Sequence, residues 1–279
     1  MQEFKEYSKI SVHNHFGDKS SEKTKNDPYN KVIKFNYVEA INKINEAYKE
    51  NFNLLAFTNA NVLLVPQYFA LKKYASILHI NLVPGIEVNV INEAKEKMLH
   101  LIILFDLKSN LFKISEKLEK YQQENQEIYI DITQLVDMIL GEKVILIPHG
   151  IKQTGEERSS ADNPEQFKEI ISMRDAIPII IEDNKVYHRE TLILRLKDVL
   201  NKKDLAWMKK TRSVSCADRK SFDNIEAPTY IWGNNTFEDL YFAVLMQGSR
   251  IKRKNDIIVK PNYISKIEIE VKNKDAQIE

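Results

Sequence analysis

HLIILFD, residues His100–Asp106, is an unbroken apolar run closed by a histidine at one end and an aspartate at the other. A run of this length without polar alternation is what a strand covered on both faces requires. Covering both faces takes helices, and the surrounding sequence supplies them. Upstream, INLVPGIEVNVI (Ile80–Ile91) reads as a strand, with Pro84-Gly85 as the place where it would break. Before it, Pro66 suits the first turn of a helix carrying Phe69, Leu71, Tyr74 and Leu78. Leu54–Phe57 reads as a second strand, and Tyr37, Val38, Ile41, Ile44 and Tyr48 recur at helical spacing ahead of it. Lys9–Asn14, KISVHN, is the first strand. Downstream come two helical stretches, Leu111–Gln122 and Asp131–Leu140, the second closed by Gly141. Then follow the strand KVILIPHG, the helix ADNPEQFKEIISM, the strand AIPIIIED, one long helix over Glu190–Lys209 and the strand end RSVSCAD. Thr236 with Asp239 forms a capping box opening FEDLYFAVLMQ.

Strand–helix alternation of this kind implies parallel strands joined by right-handed crossovers. About seven strands are expected, and the 279-residue chain has the length for a closed α/β barrel. A doubly wound open sheet is the alternative. The polar stretch Asp18–Lys31 reads as a surface loop able to act as a lid. After Ile251 the composition turns to Lys and Asn. The expected division is therefore a barrel over 1–251 and an extension over 252–279, the start of a further domain.

Composition excludes several classes. Lys+Arg 41 against Asp+Glu 40 leaves a net charge of +1, which argues against a generally basic nucleic-acid coat. One cysteine rules out a disulfide framework and fits a reducing cytoplasm. No apolar run is long enough to span a bilayer, and MQEFKEYSKI is not a signal peptide. Neither GxGxxG nor GxxxxGK occurs among the seven glycines.

The six histidines are the informative residues. His13 and His15 end the first strand two residues apart, so period-2 geometry turns both to one face. His100 opens HLIILFD, His149 closes KVILIPHG, and Glu87 follows the Pro-Gly of PGIEVNV. In a parallel barrel the C-terminal strand ends share one rim, where active sites form. Histidines and a carboxylate meeting there make a ligand set for zinc, manganese or iron. His79 and His188 lack this setting.

HNH, TNAN, PGIE, HLIILF, LIPHG and SCAD follow one another in an order that resembles the polymerase-and-histidinol-phosphatase (PHP) family, over roughly residues 8–251. The resemblance implies a distorted seven-stranded β/α barrel, with up to three metal ions, that hydrolyses phosphate esters or phosphodiesters. It implies one metal on His13, His15, Glu87 and a late aspartate, whose place Cys216 takes here, and a second on Glu87, His100 and His149. The family's third metal uses a Thr-Asp-His motif, which here reads Thr58-Asn59-Ala60, and the last residue of Ser-Asp-Ala-His, which here is Asp218. Ala60 has no donor atom, so one or two ions are expected rather than three. Glu87 and Asp218 are the expected catalytic residues. The favoured activity is a metal-dependent nuclease acting on DNA or RNA. The competing reading is an eroded pseudo-enzyme that binds nucleic acid or nucleotides, or docks on an ATPase domain of the SMC kind beyond this chain. Lys152 and Arg219, and with them Arg158, Arg189 and Lys220, lie near strand ends where they could meet a nucleic acid or a phosphorylated small molecule. Arg250–Lys254 is a basic segment of the same character. A cytoplasmic protein with no membrane contact is expected.

Overall fold

The structure is a computed structural model that describes residues 7–17, 35–91, 99–125, 129–151, 158–183, 188–218, 220–225, 227–246 and 248–253. The expected lid, Lys152, Arg219 and residues 254–279 lie outside the described residues. The fold is mixed α/β, with a curled sheet and eight α-helices among the described residues.

β1 (Ser8–Ser11) pairs in parallel with β2 (Phe52–Phe57), and β2 with β3 (Asn81–Ile91). The crossovers are α1 (Tyr37–Lys49) and α2 (Val65–Ile77). Asn36 caps α1 by accepting from the Glu39 amide. α1 buries Ala40, Ile44 and Ala47 and leaves Tyr37, Val38 and Tyr48 exposed. Of the residues at helical spacing, Ile44 is fully buried and Ile41 packs against the core, with Ala40 and Ala47 completing the buried face.

From β3 onward the expected all-parallel arrangement fails. β4 (Leu99–Phe105) runs antiparallel to β3, and β6 (Val144–Pro148) antiparallel to β4. The reason is chain length. Only residues 92–98 connect β3 to β4, too few for a crossover. β3 also runs unbroken through Pro84-Gly85. A Cβ on Gly85 would stand 2.8 Å from the Ile103 carbonyl oxygen and equally close to Leu104 and Thr58. The glycine lets three strands approach rather than breaking one.

α3 (Leu111–Asn125), β5 (Tyr129–Asp131) and α4 (Ile132–Ile139) separate β4 from β6, with β5 parallel to the end of β3. After β6 come α5 (Pro164–Ser172), β7 (Ile181–Glu182), α6 (His188–Leu196), α7 (Lys202–Lys210) and β8 (Ser213–Val214). The single helix expected over 190–209 is therefore two, because Asn201 caps a new one by accepting from the Asp204 amide. β9 (Thr229–Ile231) lies antiparallel to β1, and β10 (Ile251–Arg253) antiparallel to β9. Between them α8 (Phe237–Leu245) opens on the Thr236–Asp239 capping box. β7 and β8 form a separate parallel pair. Isolated parallel bridges link Leu146 to Ile179, His149 to Glu182, and Asn14 to Asp218.

Each strand contributes alternate residues to two apolar layers. Leu55, Phe57, Leu101, Ile103, Phe105 and Leu146 face the helices. Ile10, Val12, Leu54, Ala56, Val83, Ile102, Leu104, Ile145, Ile147, Ile180, Val214 and Cys216 line the concave side, where α8 adds Leu240, Ala243 and Val244. No described helix is long and apolar enough to cross a membrane.

Candidate metal centre

The concave layer stops being apolar one rung further along. Val83 and Gly85 are followed at the next same-face position by Glu87, Ile147 by His149, Ile180 by Glu182, and Cys216 by Asp218. On β4 the order is reversed, and His100 precedes Ile102. Because β4 is antiparallel, its first residues lie at the end where its neighbours finish. Two antiparallel pairings therefore bring a strand start to a rim otherwise made of strand ends. His13 and His15 follow β1 and complete the ring.

The donor atoms converge on Glu87, whose carboxylate is buried. Its Oε2 lies 3.1 Å from His15 Nε2 and 3.7 Å from His13 Nε2. Those two imidazole nitrogens stand 3.1 Å apart. Asp218 Oδ1 is 3.3 Å from His15 Nε2 and 3.6 Å from His13 Nε2. On the other oxygen, Glu87 Oε1 is 2.6 Å from His100 Nδ1 and 3.3 Å from His149 Nε2. Ligands about 2.0–2.2 Å from a shared ion stand roughly 3.0–3.6 Å from one another in octahedral or tetrahedral arrangement. Most of the separations around Glu87 Oε2 match that spacing. Two groups could each hold one ion: His13, Glu87 and His149, and His13, His15 and Asp218. Mixed imidazole and carboxylate donors of this kind fit a divalent transition metal.

Neighbouring groups set the ring orientations. His13 Nδ1 lies 2.7 Å from Glu182 Oε2, so it carries the proton and donates, leaving Nε2 for the centre. Arg158 Nη1 lies 3.1 Å from His100 Nε2. A guanidinium only donates, so His100 carries its proton on Nδ1, the atom that faces Glu87 Oε1. Burial disfavours a charged His13, yet Glu182, Asp218 and Glu87 outweigh it and raise its pKa well above the ordinary 6.5. Burial pushes the carboxyl of Glu87 upward, but its interactions with His100 and His13 hold it well below the usual range. Glu182 is lowered against the same burial effect by His13 and His149, and Asp218 by His13 and His15.

The structure brings His13, His15, Glu87, His100, His149 and Asp218 together. It leaves Cys216 out of both potential ion-holding groups. Cys216 sits one rung below Asp218, within the apolar layer. Burial first, and the Glu182 charge second, push its thiol well up. Of the expected phosphate-binding residues, Arg189 donates to the Thr211 carbonyl, while Arg158 stands at the centre beside His100. His79 precedes β3, at the end of that strand away from Glu87.

Thr58, Asn59 and Ala60 serve the backbone. Asn59 accepts from the Phe16 amide and donates to the Phe16 carbonyl. Thr58 accepts from the Asn14 amide. Ala60 bridges to Glu87, whose amide donates to the Asn59 carbonyl. This segment positions the first histidine loop and the central glutamate.

Two residues were not legible in advance. Glu182 is 2% exposed and touches His13 and His149, and only the β6–β7 register reveals it. Lys43 donates to the Asp218 carbonyl from α1, a contact with no sequence signal.

No protein-family model matches the chain, and no curated protein matches it. Solved structures with similarity include one from Bifidobacterium adolescentis, assigned by inference as a metal-dependent phosphoesterase, with TM-score 0.46 and 11% identity over 86% of this chain and 96% of that one. An amidohydrolase from Chromobacterium violaceum, solved with sulfate and without metal, has TM-score 0.45 and 10% identity over 79% of this chain and 91% of that one.

Proposed function

We propose that the chain is a metal-dependent hydrolase of phosphoric esters, built on a distorted seven-stranded β/α barrel of the PHP kind. Support for the barrel comes from the bridges His149–Glu182 and Asn14–Asp218, which carry the curl from β6 through β7 and β8 back to β1. The observation that carries the function is the ring of imidazole and carboxylate donors around Glu87, spaced as ligands of shared ions are.

His13 has one nitrogen facing the centre, so it serves one ion. His13, His15, Asp218 and Glu87 Oε2 would hold the first. Glu87 Oε1 and His149 would hold a second, with His100 beside them. For a third, the Thr58-Asn59-Ala60 segment supplies no donor: Asn59 is engaged with Phe16, and Ala60 offers none. Zinc, manganese or iron bound there would polarise a phosphoryl oxygen and activate water. The chain's own residues do the rest. Glu87 joins the two halves of the site, and Arg158 offers N–H donors to an anionic ester beside His100. Asp218, 37% exposed at its side chain, is ionised and faces the substrate side. The expected substrate is a nucleic acid or a phosphorylated small molecule.

The test is hydrolysis of single- and double-stranded DNA, RNA and a generic phosphomonoester with added Zn²⁺ or Mn²⁺, beside Glu87→Gln. Loss of a residue that merely supports a ligand costs about 10–100-fold, so losing Glu87 should lower activity by at least about a hundredfold. Protein that takes up neither metal overturns the proposal. Cleavage of DNA or RNA identifies a nuclease, and turnover of the monoester alone a small-molecule phosphatase. Metal uptake without turnover of any substrate identifies a binding module.

A further inference from the structure

Beneath the ligand ring lies a carboxylate that belongs to neither ion-holding group. Glu182 Oε2 is 2.7 Å from His13 Nδ1 and 3.4 Å from His149 Nδ1. These two rings come from elements far apart in sequence, and they stand edge to face with centroids 5.0 Å apart. Glu182 reaches both from below because β7 crosses β6 closely. The Gly150 amide donates to the Glu182 carbonyl at 2.7 Å, and a Cβ on Gly150 would come within 2.8 Å of that oxygen. One carboxylate oxygen thus faces the Nδ1 atoms of two histidines whose Nε2 atoms face Glu87.

We infer that Glu182 is a positioning residue that orients His13 and His149 together, holding the proton of each on Nδ1 so that both Nε2 lone pairs point into the centre. The physical ground is the two-sided nature of imidazole. In the neutral ring one nitrogen donates and the other accepts, and the partner of one decides which is left for a metal. Free histidine favours the proton on Nε2, the wrong atom for this centre. A buried carboxylate, an acceptor only when ionised, reverses that preference for both rings at once. An ordinary buried acid would accept from whatever donors surround it. Here the groups facing it are the two rings that face the metal positions, and the second oxygen, Oε1, is buried with no hydrogen-bond partner among the described residues. Among the described residues Glu182 is therefore committed to the histidines.

The inference rests on the metal-centre reading, and two independent readouts separate them. In the metal-free protein, ¹⁵N-selective NMR should show Nδ1-bound protons of His13 and His149 far downfield and slow to exchange, whatever the charge of the rings. Titration with Zn²⁺ alone should perturb the Nε2 resonances and leave Nδ1 protonated. Glu182→Leu should remove the downfield protons and weaken Zn²⁺ binding about 10–100-fold. Glu182→Gln, which keeps an acceptor oxygen of the same reach, should restore binding to within about tenfold of wild type. Should Leu prevent folding, the wild-type spectra and the Gln variant decide. Zinc held through Nδ1 of either ring, or a Leu variant binding Zn²⁺ as tightly as wild type, overturns the inference. Downfield Nδ1 protons in a wild type that takes up no Zn²⁺ would overturn the metal-centre reading and leave the orienting contact standing.

Discussion

Asp218 adopts φ +54, a left-handed conformation uncommon for any residue but glycine. It is held there on three sides: its amide donates to the His13 carbonyl, and its carbonyl accepts from the His15 amide and from Lys43. The backbone turn aims the carboxylate at the two imidazoles. Cys216, two residues earlier, sits in the apolar layer, where its thiol meets backbone groups of Val12 and His13. The two therefore separate cleanly by mutation. Asp218→Asn should weaken Zn²⁺ binding by about tenfold or more, as loss of a charged donor requires. Cys216→Ala should leave that affinity unchanged within about twofold while lowering stability by about 1–2 kcal/mol through the small cavity it opens. Calorimetric titration and urea unfolding read the two effects. Equal loss of zinc affinity in both variants would return Cys216 to the ligand set.

Among the elements, β3 carries the most consequence, because Glu87 stands two residues beyond the tight crossing at Gly85. Gly85→Ala should cost about 1–3 kcal/mol, the usual penalty for overpacking, and should lower metal affinity as well, since the strand must shift to admit the methyl group. A stability loss with unchanged zinc binding would show that β3 absorbs the strain without moving Glu87. The elements also show what the sequence could convey. β1 to β3, β4, β6 and the first helices were legible because long apolar runs and period-3.6 spacing are local signals. Strand direction was not, since it depends on how few residues join β3 to β4 and on pairings between distant segments. β9 and β10, three residues each, are too short to show a period. The site followed the same division. His13, His15, Glu87, His100 and His149 announce themselves at strand ends, whereas Glu182 is one acid among 40 acidic residues until the register sets it under two rings.

At the scale of the whole molecule, the buried charges make stability depend on pH in a way that metal should invert. The pKa of His13 is raised on folding, so its contribution is complete below its ordinary 6.5 and is lost as pH rises through the folded value. Glu87 and Glu182 are lowered, so theirs is present above their ordinary 4.5 and is lost as pH falls through the folded values. Metal-free protein should be most stable between these limits and should lose melting temperature toward alkaline pH. With Zn²⁺ the ion takes the place of the His13 proton, so the stabilisation by metal should grow as pH rises. Melting curves from pH 5 to about 9 with and without zinc test this, and parallel curves would refute it. The closing bridge between Asn14 and Asp218 has a further consequence, for the order of events during synthesis. About 200 residues separate His13 from Asp218, and translation at about 5–20 residues per second leaves the first histidines waiting roughly 10–40 s for their last partner. A nascent chain still on the ribosome thus has its His-x-His pair long before it has a pocket, and a metal ion could be captured there only after most of the polypeptide has emerged.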